Sequence, residues 1–252
     1  MSINTEEEFI GMQKVSDVVA IVLRKMKSYT KIGMTTKELD DYGGELLTSF
    51  GAKSAPKHTY EFPGFTCISL NHEIAHGIPS DKKVLKEGDL INIDVSAELN
   101  GFWSDNGTSF IVGRDIHGHK RLVDSSRNIL IDRISSIRPG MKISDFGKSI
   151  ERQANLNGLK VIKNLAGHGV GRSLHEHPEY ILNCEDKSNN NRFKLNSVVA
   201  IEMFISTKSS YATELNDGWT LVGNNGGYVA QHEHTILITK TKPIILTSAN
   251  EI

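Results

Sequence analysis

Cysteine is scarce: Cys67 and Cys184 are the only two in 252 residues. Two thiols make no disulfide framework, so a reduced, intracellular protein is expected. Long apolar runs are missing as well. The longest, Val18 to Leu23, falls far short of the roughly 20 residues that cross a bilayer. The opening Ser2-Ile-Asn-Thr-Glu-Glu-Glu8 is acidic where a secretory leader would be basic and then apolar. Neither sign of charge dominates. The net charge of −1, with acids and bases mixed along the chain, favours neither nucleic acid nor an anionic membrane. No linker divides the sequence. What remains, 38% apolar and 23% charged, is ordinary soluble, cytoplasmic composition, in one large domain or two tightly joined halves.

Against this plain background an acidic residue recurs. Leu85-Lys-Glu-Gly-Asp-Leu-Ile-Asn-Ile-Asp94 aligns, 108 positions on, with Phe193-Lys-Leu-Asn-Ser-Val-Val-Ala-Ile-Glu202. Both are apolar runs closing on a carboxylate. Upstream, Gly33-Met34, Leu39 and Gly51 return 107 positions later as Gly140-Met141, Phe146 and Gly158. The chain therefore reads as one domain, 1–252, duplicated internally at approximately 1–115 and 116–252. An unpaired buried carboxylate costs several kcal/mol after relaxation. Two of them, related by duplication, call for something positive between the halves, and metal is the economical choice.

Local signals give helix–helix–strands, twice. Thr5 with Glu8, and Thr35 with Glu38, are capping-box signatures. Phe9, Met12, Val15, Val19, Val22 and Met26 follow the first at helical spacing, and the second helix ends near Gly51. Residues 66–71 read as a strand, 89–112 as a hairpin turning at Asn100-Gly101, then 117–137 and 143–157 as helices. Strands are expected at 160–166, 197–206 and 228–239.

A two-residue turn at Asn100-Gly101 sets residues whose numbers sum to 201 opposite one another. Asp105 then opposes Ser96, and Asp94 opposes Gly107, leaving Asp94 and Asp105 as diagonal neighbours on one face, roughly 7–8 Å apart. His168 sits between glycines in Gly167-His-Gly-Val-Gly171, a run without GxGxxG spacing, and Glu233 lies inside the apolar strand 229–238. Four carboxylates and one histidine suit Mn, Fe, Co or Zn in a hydrolytic site, and four negative charges balance two divalent ions. His72-Glu73-Ile-Ala-His76 matches HExxH, but that motif needs a sustained helix. A strand-like stretch precedes it and Gly77-Ile-Pro79 breaks it, so the zinc-protease reading is set aside. His76-Gly-Ile-Pro echoes His168-Gly-Val-Gly, which points His76 into the same cleft.

Asn71-His-Glu-Ile-Ala-His-Gly-Ile-Pro79, Ile93-Asp94-Val95, Asp105, Gly167-His-Gly-Val-Gly-Arg-Ser-Leu-His175-Glu, Ile201-Glu202 and Ala230-Gln-His-Glu233-His-Thr resemble the type I methionine aminopeptidases of the bacterial short form, over nearly the whole chain. The resemblance implies the pita-bread α/β (α+β) fold, two pseudo-symmetric halves with antiparallel sheet inside and helices outside. It implies two divalent ions held by Asp94, Asp105, His168, Glu202 and Glu233, with Asp105 and Glu233 bridging. His76 and His175 would face substrate, Glu202 would also move a proton, and Phe62, Phe65, Cys67 and Trp219 would form the methionine pocket. The implied partners are the N-terminal methionine of peptides and nascent chains, with a transient ribosome contact and a monomeric enzyme. Three positions depart from the family pattern: Met203 where proline is usual, Leu174 where an aromatic is common, and His232 where an apolar residue is commoner. These place pocket shape, rate and side-chain preference in question. The rival readings are a proline-directed aminopeptidase or prolidase, which usually carries a further N-terminal domain, and a non-catalytic peptide-binding or ribosome-associated module, which usually loses ligands.

Overall fold

The computed structural model describes residues 1–252. Its elements run α1 (Glu6–Tyr29), α2 (Thr36–Ser49), β1 (Lys53–Ser54), α3 (Ala55–Tyr60), β2 (Cys67–Leu70), β3 (Glu73–Ala75), β4 (Leu90–Leu99) and β5 (Phe102–Ile111). Then follow α4 (Lys120–Ser136), α5 (Ile143–Leu156), β6 (Lys160–Val161), β7 (Ala166–Gly169), β8 (Glu176–Leu182), β9 (Val198–Ser206), β10 (Ala212–Glu214), β11 (Leu221–Gly223), β12 (Val229–Leu237) and β13 (Ile244–Ile245). Thr5 and Thr35 cap α1 and α2, each with its glutamate three residues on closing the box. A ten-stranded sheet has the path β1-β4-β5-β12-β9-β7-β8, with β2 on β4, β6 on β9 and β13 on β12. All its pairings are antiparallel. No helix is long and apolar enough to cross a membrane.

Period-two alternation assigns the two faces of the sheet. Ile91, Ile93, Val95 and Ala97 of β4 pack with Val19, Leu23, Met26 and Leu39 of the first two helices. Val199, Ile201, Met203 and Ile205 of β9 pack with Ile129, Ile134, Phe146 and Ile150 of α4 and α5. The intervening residues Asp94 and Glu202 are consequently turned to the opposite face. Burying these aliphatic side chains, at about 1.5–3 kcal/mol each, fixes the register. A one-residue slip would drive the carboxylates into the helical layer.

The β4–β5 hairpin has the register read from its turn, with Asp94 opposite Gly107 and Ser96 opposite Asp105. Asn100 and Gly101 have φ of 53° and 79°, as a type I′ turn requires. The expected strand 160–166 is interrupted: only Lys160–Val161 pairs with β9 before the chain re-enters the sheet as β7. Short α3 and edge strand β8 carry no clear periodic signal. Strand β8 reads Glu-His-Pro-Glu-Tyr-Ile-Leu, largely polar with Pro178 inside it, a composition tolerated at a sheet edge.

Candidate metal centre

Five strands deliver the acidic residues and the imidazole to one place. Across β9 and β12, Glu202 lies directly opposite Glu233. Like charges in that position repel, so the pairing is unfavourable without a cation between them. On β4 and β5, Asp94 and Asp105 are the diagonal pair, and β7 brings His168 opposite Ala200 of β9. The flanking glycines make that approach feasible: a Cβ on Gly167 would sit 2.3 Å from the Ala200 carbonyl oxygen, and one on Gly169 equally close to that of His177. Ligand atoms of Asp105, His168 and Glu233 lie within 4.8 Å of one another, and so do those of Asp94, Glu202 and Glu233. Glu233 thus belongs to both triads, and Asp105 to one.

The electrostatics fit a divalent pair. Asp105, His168 and Glu233 are buried, and in the protein alone burial raises all four carboxyl pKa values. Asp105 moves up to about 6 and Glu202 to about 8, while Asp94 and Glu233 are pushed well above the usual carboxylate range, with their acidic neighbours adding to the effect. Burial lowers His168 to about 3, so its imidazole is neutral and able to ligate. Its Nδ1 donates to the Gly169 carbonyl at 3.0 Å, leaving Nε2 free, 3.7 Å from Asp105 Oδ2. Two buried oxygens, Asp105 Oδ1 and Glu233 Oε1, have no hydrogen-bond partner. Unpaired acceptors in such a place are what cations satisfy, and the oxygen-rich donor set suits Mn, Fe, Co or Zn.

Beneath the acids lies a support the sequence did not single out. Gln231 donates from Nε2 to Glu202 at 3.0 Å and to Glu233 at 3.2 Å. Asn92 donates to Gln231 Oε1 at 2.6 Å, which fixes the orientation of that carboxamide. Thr235 Oγ1 bonds the Asp105 backbone on both sides, accepting from its N–H and donating to its carbonyl.

The acids open into a cavity of about 390 Å³ whose lining includes Tyr60, Phe62, Cys67, His76, Leu174 and His175. Cys67 pairs with Asp94 across β2 and β4, and burial together with that carboxylate pushes its thiol pKa up, so it stays neutral. Trp219 does not line this cavity. It stands edge-on to Phe62, ring centres 5.1 Å apart, and backs that wall. Phe65 is not brought to the cavity either. Asp40 accepts the N–H groups of Phe65 and Thr66, which turns the segment so that the Phe65 ring lies against Gly44 of α2 and under Lys57. Its place among the pocket candidates is therefore withdrawn. Met203 and His232 face each other on the helical side of the sheet, with Met203 in the core and His232 bonded to Ser126. They leave the cavity's shape to Leu174, which lines it.

The HExxH stretch is not helical: Glu73–Ala75 form strand β3, with His72 in the turn before it and His76 just past its end. Glu73 lies in β3, pairs with Lys83 and accepts the Leu70 N–H, while His72 bonds the Gly227 carbonyl. His76 has φ of 53°, sparsely populated for a residue with a side chain and often seen at functional sites. Gly77 holds it there, its N–H donating to Ser69 Oγ and its carbonyl accepting from Ile68. The protein shell lowers the pKa of both His76 and His175.

An antiparallel sheet presenting paired acids to a cavity is the arrangement of a metal-dependent hydrolase, and the chain belongs to metallopeptidase family M24, whose pattern its residues 11–240 match. Within that family its full-length relatives are methionine aminopeptidases. It is 45% identical to methionine aminopeptidase 2 of Bacillus subtilis over 98% of this chain and 99% of that one. It is 43% identical to the methionine aminopeptidase of Staphylococcus epidermidis over the whole of both. Among solved structures, the methionine aminopeptidase of Thermotoga maritima superposes with a TM-score of 0.92 at 34% identity, covering 98% of this chain and 99% of that one. Prolidase from Pyrococcus furiosus shares the pita-bread fold, at TM-score 0.78 and 22% identity, but this chain spans 65% of its length.

Proposed function

We propose that this chain removes the N-terminal methionine from peptides and nascent proteins whose second residue is small. The observation that carries the reading is the pair of ligand triads, sharing Glu233, at the floor of a cavity walled by Phe62, Cys67, His76 and His175. Two divalent ions of Co, Mn, Fe or Zn would be held by Asp94, Asp105, His168, Glu202 and Glu233. Bound there, they supply Lewis acidity and bring the pKa of a water from about 15.7 towards about 7. Glu202 takes the proton of the attacking water and passes it to the leaving amine. His175 polarises the scissile carbonyl, and His76 steadies the adjoining peptide N–H as charge develops. The free α-amine of the substrate is drawn to the acidic end of the cleft, which selects chain termini over internal bonds. Phe62 and Cys67, backed by Trp219, take the thioether, and the narrow cleft excludes a long second side chain.

The chain acts as a single catalytic domain built by duplication at approximately 1–115 and 116–252. Recurrence of α2 as α5 and of β1 as β6, each 107 positions later, supports this. We place the activity in the cytoplasm, with a monomeric enzyme meeting emerging chains through a transient ribosome contact and binding neither membrane nor specific nucleic acid. Equilibrium metal binding tests the site. Two ions per chain are expected, and Glu233→Ala should disrupt both positions and abolish most turnover. Full activity in that variant, or in thoroughly chelated enzyme, contradicts the assignment.

A further inference from the structure

Tyr60 ends α3, and its hydroxyl oxygen lies 2.6 Å from Nδ1 of His175, a residue 115 positions away. Their ring centres are 5.8 Å apart and tilted by 46°. Both rings line the cavity above the acids. The backbone carrying His175 is fixed independently. Glu176 accepts the N–H groups of Arg172 and Ser173, and Ser173 Oγ donates to the His175 carbonyl at 2.8 Å. What remains free is rotation of the imidazole and the choice of nitrogen that bears its proton.

That choice decides what His175 offers a substrate. A neutral imidazole has one donor nitrogen and one acceptor nitrogen. With the proton on Nε2, His175 can donate to a carbonyl oxygen. With it on Nδ1, the free nitrogen can only accept. The contact length favours the first case: O–H donors form shorter bonds, from about 2.5 Å, than N–H donors, usually about 2.7–3.2 Å, and the separation here is 2.6 Å. Burial also raises the Tyr60 pKa, with the Asp105 charge adding to it, so the phenol keeps its proton near neutrality.

We propose that Tyr60 donates its hydroxyl proton to His175 Nδ1, fixing His175 in the tautomer protonated on Nε2 and orienting its ring as a hydrogen-bond donor. Tyr60 is a positioning residue: it acts through His175. The role rests on the reading that His175 meets the substrate carbonyl. Tyr60 comes from a short helix that sequence periodicity does not reveal, and it is partly exposed, 44% of its surface being open. Losing its hydroxyl therefore leaves the core intact.

The test is ¹⁵N NMR of histidine-labelled, zinc-loaded full-length protein, with Tyr60→Phe beside the wild type. In the wild type, His175 should show a protonated Nε2 and a hydrogen-bonded, unprotonated Nδ1. In Tyr60→Phe the Nδ1 signal should move to that of a nitrogen without a donor. Loss of one such bond corresponds to about 3- to 10-fold, expected in kcat, with KM on a Met-Ala peptide and zinc affinity within about twofold. A wild-type His175 protonated on Nδ1, or on both nitrogens, overturns the proposal, as does a His175 spectrum unchanged in Tyr60→Phe. Undiminished turnover in His175→Ala would strike the substrate-facing role of His175 instead, a failure the spectrum keeps separate from the tautomer.

Discussion

Adding one methyl group at Gly107, the ladder partner of Asp94, should weaken metal binding by displacing Gln231. A Cβ there would lie 2.4 Å from Gln231 Oε1, 2.5 Å from Nε2 and 2.8 Å from Cδ. Gly107 lies within β5, where its φ is not in the left-handed region, so alanine meets a steric obstacle and no backbone penalty. A flexible glutamine would ordinarily swing aside. Gln231 cannot do so cheaply, because it is 1% exposed and tied to Asn92 at 2.6 Å and to Glu202 and Glu233 at 3.0 and 3.2 Å. Displacing the carboxamide sacrifices the two bonds to carboxylates, each worth about 1.5–3 kcal/mol, offset in part by relaxation. A net loss of about 2–4 kcal/mol in stability is expected, together with a 10- to 100-fold fall in metal affinity, typical when support behind a ligand is removed. Calorimetric titration with Mn²⁺ and thermal melts of Gly107→Ala measure both. Affinity within twofold of wild type with an unchanged melting temperature would refute the idea that Gln231 holds the two glutamates.

Other outcomes follow from the same geometry. His72→Ala and Glu73→Ala should leave turnover within a few-fold, whereas His76→Ala should lose roughly 10²-fold, mainly in kcat; a severe loss at Glu73 with none at Glu202 would restore the zinc-protease reading. Metal-free protein should lose stability as pH rises from about 6 through about 8. Glu202, with a folded pKa of about 8, sheds its proton within that window, whereas Asp105, at about 6, has given up most of its share by the start of it; both folded values lie above the unfolded ones. The stabilisation of each is complete below the unfolded pKa and is lost as pH passes the folded one. Metal-loaded protein should melt at nearly constant temperature over that window, and ion binding at pH 7 should release protons, read as buffer-dependent heat. Rising stability of the metal-free form between pH 6 and 8 would contradict the raised carboxyl values.

Much of the site was legible because strand alternation and one tight turn are local properties. Asn100-Gly101 alone sets Asp94 beside Asp105; the period-two apolar pattern of β4 turns Asp94 away from the helices, and Asp105 follows through the ladder onto the same face. The direct opposition of Glu202 and Glu233 was not legible, since it depends on β12 pairing with β9 rather than on any neighbouring sequence. Edge strand β8 escaped notice because a largely polar strand containing proline has no hydrophobic period to read. Phe65 illustrates a different limit. Its ring follows from Asp40, 25 residues away, capturing its N–H, and no property of the local sequence encodes that bond. Met203 likewise stood out as a departure beside a ligand, yet one step along a strand reverses the face, and its side chain fills the helical core.

The most direct measurement is cleavage of short peptides by metal-loaded protein, followed by mass spectrometry. Peptides beginning Met-Ala and Met-Ser should lose methionine, because the free amine reaches the acidic end of the cleft and the second side chain clears its walls. Acetylated Met-Ala and free Met-Lys peptides should remain intact. Preferential cleavage of Xaa-Pro peptides over Met-Ala, or equal cleavage of the acetylated peptide, would contradict the account.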